Sequence, residues 1–393
     1  MAPYFVIFLI SILICGAGER MLRSSRRAAL FLFGAAVLCP VILAGARDYT
    51  VGTDIATYGN YIFNAACTAG KLFPFLRRRR EIEPMYKALA WIVARFTNNP
   101  HWFYFFTALI ICGCTMWGLY YYRRWCSVTL GWACFLLLFY GDTLNTMRQC
   151  LALAVVFCSF PFFLEKKYLW FAFFQGVAVL FHVTGVLALA LPVLYLVLEK
   201  LPPRWIQFFF IIGCMGVILL YSPLLGSILR MGFLPAKFSR YIAKGVAFAF
   251  NPTILRLPFL LPVLFYYDRF CGFGQEETGG EEGNGGSASG ISAVTGMFVV
   301  IMLLLEICTV QLRSVRPALY RISYYFGYYR FLAYPRLVRI LRRDNRALVA
   351  AALVLYLCAL WYYQNVVQGN NQIYPYIYAP GWFWRTVPVM PAE

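Results

Sequence analysis

The chain has 393 residues, 62% of them hydrophobic and 13% charged, with a formal net charge of +19. A soluble domain carries roughly 25% charged residues, so this composition excludes a soluble globular enzyme and predicts an all-α, polytopic membrane protein. The apolar runs are continuous and helix-length, which excludes an alternating outer-membrane barrel. The basic residues lie between spans rather than on a soluble domain, which points to anionic partners such as membrane lipid and away from nucleic acid.

The pattern predicts about twelve transmembrane helices, each roughly 14–20 residues long. They start near Pro3, Ala28, His101, Ser127, Leu144, Tyr168, Val183, Trp205, Thr253, Ala293, Leu319 and Ala347. No basic residue precedes the first run, and Arg20, Arg23, Arg26 and Arg27 follow it. That reads as an anchor with its N-terminus outside rather than as a cleaved leader. The short basic loops 19–27, 123–124, 165–167, 199–204 and 336–346 set the cytoplasmic side.

Two outer segments are long. Residues 47–100 form an outer loop with an amphipathic stretch at 83–96, where Met85, Leu89, Ile92 and Phe96 recur at helical spacing. Such a helix suits the membrane interface. Residues 222–252 mix proline, glycine and basic side chains. Residues 272–290, rich in Gly, Ser and Glu, read as a flexible cytoplasmic linker. The whole chain, 1–393, reads as a single integral membrane domain. Most of the thirteen cysteines lie in apolar spans as small hydrophobic filler. Only His101 and His182 are present, so no metal site and no cofactor is expected.

With this topology, Asp48, Asp54, Asn145, Arg148, His182, Arg321 and Tyr374 all fall on the outer side. Polar groups at the ends of apolar spans are costly near hydrocarbon and mark a site. They occur in short motifs: Arg47-Asp48 followed by Gly52-Thr53-Asp54 and Tyr58, then Asn145-Thr146-Met147-Arg148-Gln149, Phe181-His182, Arg321-Ile322-Ser323-Tyr324-Tyr325-Phe326 and Asn370 to Tyr376. In a continuous helix Asn145, Arg148 and Gln149 share one face.

In order and spacing, from about residue 47 to 335, these motifs resemble the EpsG-like family of bacterial exopolysaccharide polymerases, the Wzy-type enzymes that also serve capsule and O-antigen synthesis. The resemblance implies a GT-C-like glycosyltransferase in the bacterial cytoplasmic (inner) membrane, active on its outer face without a metal ion. It implies joining of undecaprenyl-pyrophosphate-linked oligosaccharide repeat units, the growing glycan passing to a hydroxyl of the incoming unit. A chain-length regulator is a candidate partner. The competing readings are a flippase or transporter for the lipid-linked unit and an O-antigen ligase-like transferase.

The residue chemistry agrees with the resemblance. A pyrophosphate leaving group gains negative charge as the glycosidic bond breaks, and guanidinium groups can stabilise it bidentately. Arg148 and Arg321 lead that role, with Arg47, Arg240 and Arg313 behind them. The acceptor hydroxyl needs a proton acceptor, for which Asp54, Asp48 and His182 are the candidates. Asn145 and Gln149 can bond sugar hydroxyls, and Tyr58 and Tyr324 can stack on sugar faces.

Overall fold

The computed structural model describes residues 1–78, 81–201, 250–273, 293–314 and 317–384. The expected span near Trp205, the candidate Arg240 and all of the acidic linker but Gly272 and Phe273 lie outside the described residues. Seven described segments are long and apolar enough to cross a membrane: Ala2–Met21, Arg26–Gly45, Pro100–Arg124, Met147–Leu164, Val183–Lys200, Ala293–Arg313 and Arg343–Val367. Val128–Leu138 and Tyr168–Phe181 are apolar but shorter. The described residues contain helices and no strand. They divide into two compact units, one formed by Met1–Leu189 with Arg343–Glu393 and the other by Ala190–Arg342, a partition that hydropathy does not mark.

In the first unit, α1 (Ala2–Met21) and α2 (Arg26–Gly45) form an antiparallel pair joined by a basic turn. Ser25 caps α2 by accepting from the Ala28 amide, the usual task of a serine at that position. Ser11 bridges the pair, donating to the Ala36 carbonyl at 2.6 Å while accepting from Trp132 Nε1 at 2.8 Å. Three short helices follow: α3 (Asn60–Thr68), α4 (Leu72–Arg77) and α5 (Pro84–Val93). Next come α6 (Pro100–Tyr121), α7 (Val128–Leu138), α8 (Tyr140–Asn145), α9 (Met147–Leu164) and α10 (Tyr168–Phe181). Glu19 closes the N-terminus of α7, accepting from Ser127 Oγ and from the Val128 and Thr129 amides at 2.8–2.9 Å. A carboxylate suits the positive end of a helix. α9 is the most enclosed span, whereas α1 turns Leu9 and Leu13 outward, as lipid-facing helices do.

The stretch 83–96 is helical over α5 and packs against α3, α6 and α10. Its inward residues are Tyr86, Ala90 and Val93, while Ile92 and Phe96 point outward. Apolar side chains therefore serve both a protein contact and an exposed flank.

The second unit contains α11 (Ala190–Lys200), α12 (Phe250–Ile254), α13 (Leu257–Phe265), α14 (Tyr267–Cys271), α15 (Ala293–Val310), α16 (Tyr324–Gly327) and α17 (Arg330–Ile340). The remaining helix, α18 (Arg343–Tyr362), belongs to the first unit and packs on α7. Around α15 lie α11, α13, α14, α16 and α17. The single spans expected near Thr253 and Leu319 are here broken into short pieces, so the count of twelve is not reached among the described residues. Proline explains the first break. Pro258 sits in the first turn of α13, where a missing N–H starts a new helix rather than continuing the old one.

Candidate functional site

The first outer loop is fastened by the C-terminal segment. The Asp48 amide donates to the Ile377 carbonyl at 2.9 Å, the Ala379 amide to Ala46 at 2.9 Å, and the Gly52 amide to Gln372 at 3.0 Å. Gly52 has a φ of +92°, and a Cβ there would stand 2.4 Å from the Leu144 carbonyl oxygen. Glycine alone meets both demands. That same carbonyl accepts from Arg47 Nη1 at 2.7 Å. Arg47 is 1% exposed, with its guanidinium 5.3 Å from the centre of the Tyr104 ring. It acts as a buried brace between the loop and the end of α8, which corrects the expectation that it faces a pyrophosphate.

Asp48 is half-exposed but turned onto its own chain. Its Oδ1 accepts from the Thr50 amide at 3.0 Å and from Thr50 Oγ1 at 2.8 Å, a local turn typical of aspartate. Asp54, also half-buried, precedes a single π-turn at Ile55–Gly59 and makes no capping bond to it.

The shared face expected for Asn145, Arg148 and Gln149 does not form. The helix breaks at Thr146 (φ −97°, ψ 53°), between α8 and α9. Thr146 Oγ1 donates back to the Asp142 carbonyl at 3.1 Å, a local bond that competes with a continuous helix. Asn145 is held by Thr53 Oγ1 and by Asn371, to which it donates at 3.2 Å. Gln149 is buried among the helices. Arg148 leaves in another direction.

Arg148 meets Glu83. Its Nη1 donates to Glu83 Oε2 at 2.6 Å, and its guanidinium carbon lies 4.3 Å from the centre of the Tyr58 ring. Glu83 stands at the N-cap of α5 but makes no capping bond. Its Oε1 instead accepts from the Val183 amide at 3.4 Å and lies 3.9 Å from His182 Nε2. His182 ends α10 in an extended conformation. Its Nδ1 lies 3.2 Å from the Thr184 amide and 2.7 Å from Thr184 Oγ1. An amide N–H only donates, so Nδ1 accepts and the neutral ring carries its proton on Nε2, towards Glu83. The side chains of Arg148, Glu83 and His182 are 14%, 14% and 20% exposed, enclosed yet reachable.

Tyr86 adds a buried hydroxyl without a hydrogen-bond partner among the described residues. Burial raises its phenol pKa most, with Asp54 and Glu83 acting in the same direction and Arg148 and Arg47 opposing them. The hydroxyl therefore stays neutral, with those charged groups arranged about it. Leaving a buried polar group unmatched costs roughly 1–3 kcal/mol.

The first unit thus joins Arg148, His182 and Tyr58 around Glu83, and the charges of Asp54 and Glu83 both act on Tyr86. Tyr374 is exposed. Arg321, Tyr324 and Arg313 lie in the second unit, where Arg321 and Arg313 are exposed and Tyr324 packs on Tyr320 with ring centres 5.5 Å apart. Glu83 and Tyr86 escape sequence reasoning because each has a plain helical role available, one at an N-cap and one on an inward face. The sole signal was a carboxylate immediately before Pro84 in an outer loop.

No curated protein and no solved structure matches the chain. The chain belongs to the EpsG family, a glycosyltransferase-like polymerase family whose model matches residues 30–378, a range that includes Asp54, Glu83, Arg148 and His182.

Proposed function

We propose that this EpsG-family protein is a metal-independent polysaccharide polymerase of the GT-C type, acting on the outer face of the bacterial cytoplasmic membrane. Family membership supports a polymerase-like role on a lipid-linked oligosaccharide in general. The finer reading rests on one observation, the meeting of Arg148 and His182 at the carboxylate of Glu83.

In this reading the glycan leaves its undecaprenyl pyrophosphate as the bond from the anomeric carbon to the phosphate oxygen breaks. A new bond forms to a hydroxyl oxygen of the incoming unit. Among the described residues Glu83 engages Nη1 of Arg148, and in this reading Nε and Nη2 stabilise the departing pyrophosphate. The ring of Tyr58 holds the guanidinium in plane. Asp54 takes the acceptor's proton. His182 is less suited to that step, because its neutral ring already carries a proton on Nε2; it serves as a donor and as a partner for Glu83.

The test is an assay of purified protein with a synthetic lipid-linked repeat unit and EDTA. The expected product is a ladder spaced by one repeat unit, absent from Arg148→Ala. Unchanged substrate with folded wild-type protein would move the reading to a flippase. A ladder that requires added metal would remove the metal-independent step.

A further inference from the structure

A charged cluster in the second unit plays no part in the chemistry above. Arg256 sits between α12 and α13. Its Nε donates to Glu306 Oε1 at 2.6 Å, its Nη1 to the Pro252 carbonyl and its Nη2 to the Tyr320 hydroxyl at 3.2 Å. Arg330 Nε lies 3.3 Å from Glu306 Oε2 and donates to the Gly327 carbonyl at 3.1 Å. The side chains of Arg256, Glu306 and Arg330 are 7%, 2% and 10% exposed.

Two guanidinium groups here share one carboxylate, which among the described residues leaves a formal positive charge in excess at the cluster. Such charge is expensive in a membrane-spanning region and marks a ligand path more often than a scaffold. The terminal nitrogens of Arg330 donate to no acceptor among the described residues. Gly327 is buried, and a Cβ there would stand 2.9 Å from Glu306 Oε1 and 3.3 Å from Arg330 Nη2, so glycine lets the backbone approach the cluster closely. Tyr320 connects the interior to the surface: its hydroxyl meets Arg256, and its ring centre lies 5.8 Å from the guanidinium carbon of the exposed Arg313. The backbone breaks on both sides, between α12 and α13 and between α16 and α17. Broken helices at membrane depth are tolerated where they are packed in protein or line a cavity, and they recur where ions and anionic substrates bind.

We propose that Arg256, Arg330 and Tyr320, held in place by Glu306, bind a phosphate group of a membrane lipid. On the polymerase reading, from which this identification follows, the ligand is the pyrophosphate of the second lipid-linked substrate. An anionic phospholipid headgroup offers the same chemistry.

The experiment uses full-length protein in zwitterionic nanodiscs, in an Arg148→Ala background so that the first unit contributes little. Inorganic pyrophosphate should raise the melting temperature. Arg330→Gln should weaken its binding by about tenfold or more, the loss of charge-assisted bonds. Glu306→Gln, which adds a unit of positive charge, should tighten it. Were the cluster only a structural ion pair, pyrophosphate would shift neither variant nor the parent, and that result overturns the site. Arg330→Lys, which keeps the charge, should bind between Arg330→Gln and the parent, and it serves where Glu306→Gln fails to fold. Farnesyl pyrophosphate and phosphatidylglycerol separate the sources. A response to the isoprenoid alone supports the substrate assignment, while equal responses keep the anion site and remove that assignment. Wild-type protein that makes a ladder while the site ignores pyrophosphate sinks this inference and leaves the polymerase reading standing.

Discussion

The two units each contain an arginine–glutamate cluster, and the two clusters differ in enclosure and in charge. In the first, one arginine and one histidine meet one carboxylate, and all three side chains stay partly open. In the second, two arginines meet one carboxylate, and all three are nearly sealed. The open cluster is balanced in charge and draws its members from the start of α9, the end of α10 and the start of α5, where backbone breaks let side chains be re-aimed. The sealed cluster carries excess charge and sits between broken helices. The difference teaches that two arginine–glutamate pairs of equal length, both 2.6 Å, can differ in accessibility and in charge balance.

That contrast can be broken, beginning with the largest effect. Glu306→Ala would leave two buried guanidinium groups without their carboxylate. Breaking a buried pair costs about 3–5 kcal/mol, so thermal unfolding in detergent should show a large drop in melting temperature. A variant as stable as wild type would show that the sealed cluster is not sealed.

In the open cluster the loss should appear in rate rather than stability. Arg148→Ala should lower polymer formation by about 10²–10³-fold, the cost of removing one preorganised stabiliser of developing charge, with little change in melting temperature. Normal polymer from this variant ends its assigned role.

Gly52→Ala addresses the support beneath the open cluster. The side chain would meet the Leu144 carbonyl at 2.4 Å on a backbone of positive φ. Strain and overpacking together predict a loss of about 2–3 kcal/mol, read as a lower melting temperature. A neutral result would mean that Arg47 does not need this carbonyl in place.

Glu83→Gln compares the clusters directly. A partly exposed pair contributes at most about 1 kcal/mol to stability, so the variant should remain folded while its rate falls by about tenfold as Arg148 and His182 lose their common partner. Destabilisation as large as that of Glu306→Ala would erase the distinction. The smallest effect belongs to Tyr58→Leu, which removes the ring beneath Arg148. A partly exposed cation–π contact gives about 0.5–1 kcal/mol, and the rate should fall less than tenfold, whereas Tyr58→Phe should retain most activity.

By itself the sequence determined the class of the molecule. Continuous apolar runs of bilayer length and a low charged fraction can be satisfied only by helices in a membrane. The motif order from Gly52-Thr53-Asp54 to the Arg321 segment was enough to indicate the EpsG family. It also marked Arg148 and His182, because a polar side chain at the end of an apolar span is conspicuous in one dimension.

The tertiary structure decided which polar groups meet. Helical spacing put Asn145, Arg148 and Gln149 on one face, but Thr146 breaks the helix and sends the three apart, a choice made by bonds to Thr53 and Asn371 from distant segments. Arg47 looked like a ligand and is a brace, because the carbonyl it serves is ninety-seven residues away. Glu83 only opened an amphipathic stretch in the sequence and is the centre of the cluster. The separation is physical. Hydropathy is a sum over neighbours along the chain, and the chain therefore carries it. The pairing of a charge depends on which long-range contact wins, and only packing settles that.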